Sequence, residues 1–549
     1  MSPHVCLLWT GLNPATGACV QSSQPHGGTR KRDTIVEIML RTGYSSDRVW
    51  RYPALVLIAF AFLLSVWLGL SAGFDGDDLM NLHEAVEATT LQQLVVGLVF
   101  PFTSLNRPTG ELYYRICYWL FGWHPLGFRL TMDTFMAANV ALVYSLARGL
   151  AGSAEAGLLA ALLFAFHGRL WMIYMSTGTV YDVLCAFFSL LALRYYIDTR
   201  TGHVAMDRRR LAMLAVLFIL ALNAKEMAAV LPALFLIYDW ICAAPDRPFA
   251  KRARWILTNS WPAAALGTAT IASFWGKTQI GGPFVNPAYK MSFTVASYFF
   301  TARFYFSELF YQRPHTLVGR HIIFLFVLLF VIAAAMKCKQ LWFLVWCAVL
   351  APLPVLFIPP RYFFAMYLPW ACWSMFAATT LVLGRDRLFS DSLGFALADS
   401  RFASVYERYA RVLPLGFCVL AIVCGLRDPE FRARASAVDP ISRIIELSKE
   451  DFMFLNEPLP HGASILLLGS RFPAEANRYF PLMIMRLLYR DRNLRMDRAE
   501  FMTPQPGPTQ FAQYDRVIGF DGIALNVLMR SVAAGSATHL SSTVPGWWR

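Results

Sequence analysis

Charge is what this 549-residue sequence has least of. Only 15% of its residues are Asp, Glu, Lys or Arg, against roughly 25% in an ordinary soluble domain, while 57% are hydrophobic and 15% aromatic. That scarcity excludes a disordered chain and a coiled coil, both of which need dense charge. Cysteine is sparse as well. There are ten, none arranged as CxxC, which excludes a disulfide scaffold, a zinc ribbon and a thioredoxin-type motif. Cys117, Cys185, Cys347 and Cys372 sit inside apolar runs, where a thiol behaves as a small hydrophobe. No GxGxxG, P-loop, HExxH or Ser/His/Asp arrangement is present. His83, His124 and His167 lack metal-ligand spacing and read as loop or interface histidines. The net charge is +14. A basic excess is the footprint of nucleic-acid binding, but the cytoplasmic loops of a membrane protein collect Lys and Arg too. The hydropathy favours the second cause, so no nucleic-acid partner is expected.

What the sequence has in abundance is long apolar runs. The first clear one is Ala54–Ala72, and others lie near 128–147, 153–172, 177–197, 211–223, 227–243, 256–275, 320–336, 341–358, 362–383 and 412–426. A bilayer span needs about 20 apolar residues, so the expectation is an all-α polytopic membrane protein with about eleven transmembrane helices. Ser292–Tyr311 is aromatic but carries Arg303 and Glu308, and reads as an interfacial helix. With that choice and a cytoplasmic N-terminus, the inner loops collect Arg148, Arg194, Arg200, Arg208–Arg210, Lys251, Arg252, Lys337, Lys339, Arg385 and Arg387, as the positive-inside rule requires.

Three regions then fall on the extracytoplasmic side: a long loop over 73–127, a second loop over 277–319, and the region 427–549. Residues 1–50 read as a cytoplasmic tail and 51–426 as the transmembrane domain. In the C-terminal region Ala463–Leu468 and Arg516–Phe520 read as strands, with a helix-like run Ala474–Tyr489 and the segment Asn493–Met496 between them. This pattern predicts a small α/β domain. The protein is expected in a plasma or inner membrane.

The sharpest chemical feature follows the first run: Phe74-Asp75-Gly76-Asp77-Asp78-Leu79. Three carboxylates within four positions repel one another, which raises at least one pKa and suits a general base toward an acceptor hydroxyl. The plain alternative is a solvated turn with a helix-capping Asp. A second feature is Asn223-Ala224-Lys225-Glu226, between apolar runs too short to cross fully. Charges recessed in a membrane protein face protein or a wet cavity, so Lys225 and Glu226 are site candidates; a local ion pair closing the turn is the alternative. Asp182, one turn inside its span, suits a hydrogen bond to a substrate hydroxyl or a pair with Arg169 or Lys225. Arg361 and Arg107 suit phosphate, or else snorkel to the interface.

Taken in order, FDGDDLMNL, NRPTGELYY with FGWHPLGFRL, NAKEMAAVLPALFLIYD and PRYFFAMYLPW resemble landmarks of the GT-C glycosyltransferases. These are polytopic enzymes that use polyprenyl-phosphate-linked sugars, among them the protein O-mannosyltransferases and lipid A aminoarabinose transferases. The resemblance covers roughly residues 54–380 and leaves the C-terminal region outside. It implies a GT-C-like fold, a polyprenyl-phosphate sugar donor, and a protein, lipid or glycan acceptor. It maps the catalytic acid to Asp77 or Asp78, with Asp75 nearby. Arg361 and Lys225 would hold the lipid phosphate, Glu226 and Asp182 would orient hydroxyls, and Arg107 and Tyr362 join the substrate-binding set. The sequence departs from the mannosyltransferase pattern in having Asp-Asp for Asp-Glu, and Gly168-Arg169 where a His-Pro is expected. These departures leave the acceptor class open. Oxygen ligands would suit Mg²⁺ or Mn²⁺ on the aspartates, and a metal-free base fits the same residues. The competing readings are a lipid or polysaccharide transporter or flippase, disfavoured by the lack of internal repeats, and a structural scaffold.

Overall fold

The computed structural model describes residues 52–100, 107–202, 206–245, 248–279, 290–388, 402–435, 439–473 and 475–530. The expected N-terminal tail and parts of the loop 277–319 and of the region 427–549 lie outside these residues.

Every one of the eleven apolar runs falls on a helix. Among the described residues, six helices are long and apolar enough to cross a membrane on their own: Pro125–Ala151, Thr177–Thr201, Glu226–Ala243, Gly319–Met336, Lys339–Leu356 and Phe363–Arg387. Two more qualify as bent pairs, one of them Ala154–Ala165 with Gly168–Met175, broken by 52°. The total is thus six to eight, where the sequence led us to expect about eleven. The remaining runs fall on Tyr52–Trp67, Arg208–Ala224 and Trp261–Gln279, which fall short of that measure by length or composition. The architecture is that of an integral membrane protein. Val295–Leu309, expected to lie along the interface, is a helix capped by the Thr294 hydroxyl and buried over its last turns.

Local rules set the ends of these helices. Pro108 and Pro125 occupy first helical positions, where a missing N–H costs nothing and φ is already helical. Gly152 closes the long helix Pro125–Ala151 with a left-handed φ of 65°, a conformation that a Cβ would strain.

The C-terminal region forms a four-stranded sheet of β1 (Ser464–Leu467), β2 (Arg495–Arg498), β3 (Arg516–Phe520) and β4 (Leu525–Arg530), in the order β2-β1-β3-β4. β1 pairs in parallel with β2 and β3, and β4 returns antiparallel on β3. Two strands were expected within a residue or two of where they lie; β4 and the preceding helix Pro440–Leu455 were not read from the sequence. Side chains alternate across a strand. Ile465, Leu467 and Ile518 therefore join the large core that continues into the helical bundle, while Leu466 and Val517 face a small separate core with Ala499.

This domain rests on the turn that carries the aspartates. Phe480, heading the helix Phe480–Tyr489, lies so close to Gly76 that a Cβ there would meet its ring at 2.8 Å. Asn477 donates to the Met80 sulfur at 3.3 Å, and the Tyr118 hydroxyl donates to the Leu487 carbonyl at 3.3 Å.

Candidate active site

Asp75 begins the site by ending the loop. It is the N-cap of the helix Gly76–His83, its carboxylate accepting from the Asp78 N–H at 2.8 Å, while Asp78 reaches back to the Asp75 N–H at 3.2 Å. This reciprocal capping satisfies two otherwise orphaned donors, and Asp77 and Asp78 in the first turn complement the helix dipole. For two of the three acids, the helix-capping alternative is therefore realised.

The helix is clamped from the side by the polar break Ser176-Thr177-Gly178 between Trp171–Met175 and the span that follows. Ser176 donates to Asp75, Thr177 to Asp78 at 2.5 Å, and the buried Tyr114 hydroxyl donates to the same Asp78 oxygen at 2.9 Å. Asp78 is fully buried. Burial, helped by the charge of Asp75, pushes its carboxyl up to about 8, with the Thr177 hydroxyl and Arg129 opposing. It is a buried anchor whose carboxyl is held well above the ordinary carboxylate range.

Asp77 is different. Its side chain is exposed, and among the described residues none donates a hydrogen bond to it. Gly178 lets it lie close, since a Cβ there would stand 3.0 Å from the Asp77 Cβ. The surrounding walls still remove enough water to raise its pKa. Asp75 raises it further and the Arg361 guanidinium draws it back down. A carboxylate that is open to a reactant, held on a capped helix and tuned upward has the properties of a general base.

Four of the other predicted residues gather in one narrow cleft of about 50 Å³, room for a few waters or one small oxyanion. Arg107, Lys225, Glu226 and Arg361 all line it, with Met227 and Phe364. Two ion pairs lie side by side there. Lys225 Nζ is 2.6 Å from both carboxylate oxygens of Asp182, and Arg107 is 3.1 Å from Glu226. The Lys225 ammonium also sits 4.8 Å over the Phe364 ring, and Arg107 lies 5.5 Å over that of Tyr181. Asp182 thus takes Lys225 as its partner, not Arg169. The Arg361 backbone N–H donates to the buried Tyr305 hydroxyl at 3.1 Å, which fixes the backbone from which its side chain reaches toward Asp77. Tyr362 stands at the rim, half exposed, its ring 6.0 Å from Trp171 and 6.4 Å from Phe364.

Arg169 belongs elsewhere. It pairs with Glu308 at 3.4 Å, Asp428 at 3.1 Å and Glu430, tying the break after the third run to the start of the C-terminal region. Beside it His167 stacks on Tyr311 at 4.6 Å and Phe363 at 5.0 Å, with one ring nitrogen facing the Leu309 carbonyl. It is a packed core histidine.

Sequence reasoning missed Tyr114, Ser176 and Thr177. The one signal was a run of small hydroxyl residues interrupting apolar sequence at a membrane boundary. Among the described residues no group of three or more His, Cys, Asp or Glu side chains is placed to hold a metal ion, and two of the three aspartates are committed to backbone and hydroxyl partners.

No protein-family model matches the sequence. None of the curated proteins matches it by sequence. Among solved structures, the chain is similar to the oligosaccharyltransferase of Archaeoglobus fulgidus in the apo form, at 14% identity and a TM-score of 0.44, over 82% of this chain and 64% of that one. It thus spans less than two thirds of that protein's length. It is also similar to ArnT from Cupriavidus metallidurans, at 11% identity and a TM-score of 0.47 in the apo state, over 87% of this chain and 94% of that one. With the structure of ArnT bound to undecaprenyl phosphate the figures are 12% and 0.45, over 81% and 89%.

Proposed function

We propose that this protein is a membrane glycosyltransferase that moves a sugar from a polyprenyl-phosphate-linked donor to an acceptor at the extracytoplasmic face. The observation that carries the reading is the position of Asp77: an exposed carboxylate on a capped, clamped helix, under the influence of an arginine that lines an adjacent cationic cleft.

The chemistry follows from these groups. Asp77 removes a proton from the acceptor hydroxyl or amine as that atom attacks the anomeric carbon. The bond from the anomeric carbon to the phosphate oxygen breaks, and the electron pair leaves with the polyprenyl phosphate. Negative charge grows on the leaving phosphate, where Arg361, assisted by Arg107 and Lys225, stabilises it most at the transition state. Glu226 and Asp182 hold those two cations in place through their ion pairs. Asp75 and Asp78 position the base. Among the described residues the donor set gives no three-ligand metal site around Asp77. The order of the sequence landmarks supports the same reading.

The test uses membranes containing the wild-type chain or Asp77→Asn at matched expression. They are supplied with radiolabelled polyprenyl-phosphate sugars and an acceptor-rich lysate, and release of free carrier phosphate is followed. Turnover in the wild type that is lost in Asp77→Asn supports the reading. Donors that stay intact, or equal turnover in both, would sink it and favour a transporter.

A further inference from the structure

A groove of about 1050 Å³, some twenty times the volume of the cleft at the aspartates, opens where the C-terminal domain meets the bundle. It lies at or just above the upper end of the size range of small-molecule sites, about 300–1,000 Å³. One wall is the end of the helix Pro108–Phe121, with Trp119 81% and Leu120 55% exposed. The floor is the start of the span Pro125–Ala151, where Leu126 and Leu130 are each half exposed. These two are one turn apart on a single face of a membrane-crossing helix, so the floor continues directly into lipid-facing surface.

The opposite end of the groove is polar. Arg490 closes the helix Phe480–Tyr489 in a left-handed conformation and lies 5.9 Å over the Tyr118 ring. Arg115 stands on the wall, donating to the carbonyls of Ala85 and Thr89. Glu87 also faces the groove, within the influence of Arg490, Arg486, Arg115 and Asp491. Asp491 accepts the backbone N–H groups of Gly462 and Asn493. Among the lining residues two arginines, Arg115 and Arg490, stand against one acid, Glu87, which leaves this end positive. An apolar trough that starts at membrane depth and ends in a cationic cluster, ringed by Trp and Tyr, has the polarity of one lipid molecule standing at the headgroup boundary.

We propose that this groove binds one anionic phospholipid, its acyl chains along Trp119, Leu126 and Leu130 and its phosphate at Arg490. The lipid would bridge the bundle to the helix Phe480–Tyr489. That helix packs on the turn carrying Asp77, so occupancy would steady the domain contact that frames the site. This inference does not depend on the transferase reading.

The experiment takes the full chain, purified in mild detergent and stripped of lipid. Dioleoyl phosphatidylglycerol and dioleoyl phosphatidylcholine are added separately, with retention followed by native mass spectrometry and the thermal midpoint recorded alongside. One phosphatidylglycerol per chain, retained about fivefold better than phosphatidylcholine and accompanied by a higher midpoint, is the expected result. Arg490→Gln should abolish that preference, Arg490→Lys should keep it, and Leu130→Trp, which fills the floor, should lower retention of both lipids. Equal retention of the two lipids by the wild type overturns the proposal, and needs no variant to fold. So does an unchanged preference in Arg490→Gln, undiminished binding in Leu130→Trp, or a polyprenyl phosphate that displaces phosphatidylglycerol from the groove.

Discussion

The turn Asp75–Asp78 and the junction at Arg169 are built from the same material, several carboxylates crowded at one end of the bundle, yet they come to opposite states. At the junction a single guanidinium sits among Glu308, Asp428 and Glu430, and charge is answered by charge. At the turn, the partners of Asp75 and Asp78 are hydroxyls and backbone N–H groups, and among the described residues no side chain donates to the third acid. Hydrogen bonds from neutral donors hold the Asp78 carboxyl in place and lower its demand for a proton, but by less than burial and the neighbouring Asp75 raise it. The first cluster therefore reads as a joint and the second as a place where protons move.

The largest expected effect is on turnover. Asp77→Asn should lower it by about 10² to 10⁴, the usual worth of a general base, with no change in thermal midpoint; a loss that tracks instability would make Asp77 one more structural acid. Next comes the junction. Arg169→Met leaves buried carboxylates without their cation, and breaking a buried pair in this way costs about 3–5 kcal/mol. Scanning calorimetry should record the loss, while activity per folded molecule is kept.

Arg361→Gln separates binding from tuning. Losing a charge-assisted contact worth about 1.5–3 kcal/mol should lower kcat/KM for the donor about tenfold or more. Because Arg361 draws the Asp77 pKa down, the acidic limb of the pH–rate profile should also move to higher pH in the variant. An unmoved limb would detach Arg361 from the base.

At Asp78 the expected effect is on the pH dependence of stability. Its folded pKa of about 8 lies above the unfolded value of about 3.9. The native state therefore binds more protons than the unfolded chain, and the stability due to this group falls as pH rises from about 4 to about 8. Asp78→Asn should match the wild type near pH 5 and exceed it near pH 8.5. Midpoints that diverge in the other direction would mean that Asp78 is ionised and used as a charge.

The membrane class and the helix positions were legible because hydropathy is a local property: each apolar run from Ala54–Ala72 to 412–426 lies on a helix. Ala463–Leu468 and Arg516–Phe520 were legible for the same reason, as short apolar runs with sharp ends. The helix Pro440–Leu455 was not read, although Asp439 caps it and Ile441, Ile445, Ser448 and Phe452 recur at helical spacing on its inner face. β4 was missed as well, being a short segment next to Gly522 whose strand character comes from its pairing with β3.

At the site, the sequence by itself determined which residues crowd together: three aspartates within one helical turn, and Lys225 beside Glu226. It could not rank them. Asp78 is an anchor because Tyr114 and Thr177, 36 and 99 positions away in the chain, aim hydroxyls at it. Asp77 stays exposed because, among the described residues, no side chain donates to it. Lys225 belongs to Asp182, and Arg107 to Glu226, only once three helices converge. Composition and periodicity act through neighbours a few residues apart. A carboxyl's partners, and therefore its proton, are set by residues that only the tertiary structure brings within 3 Å.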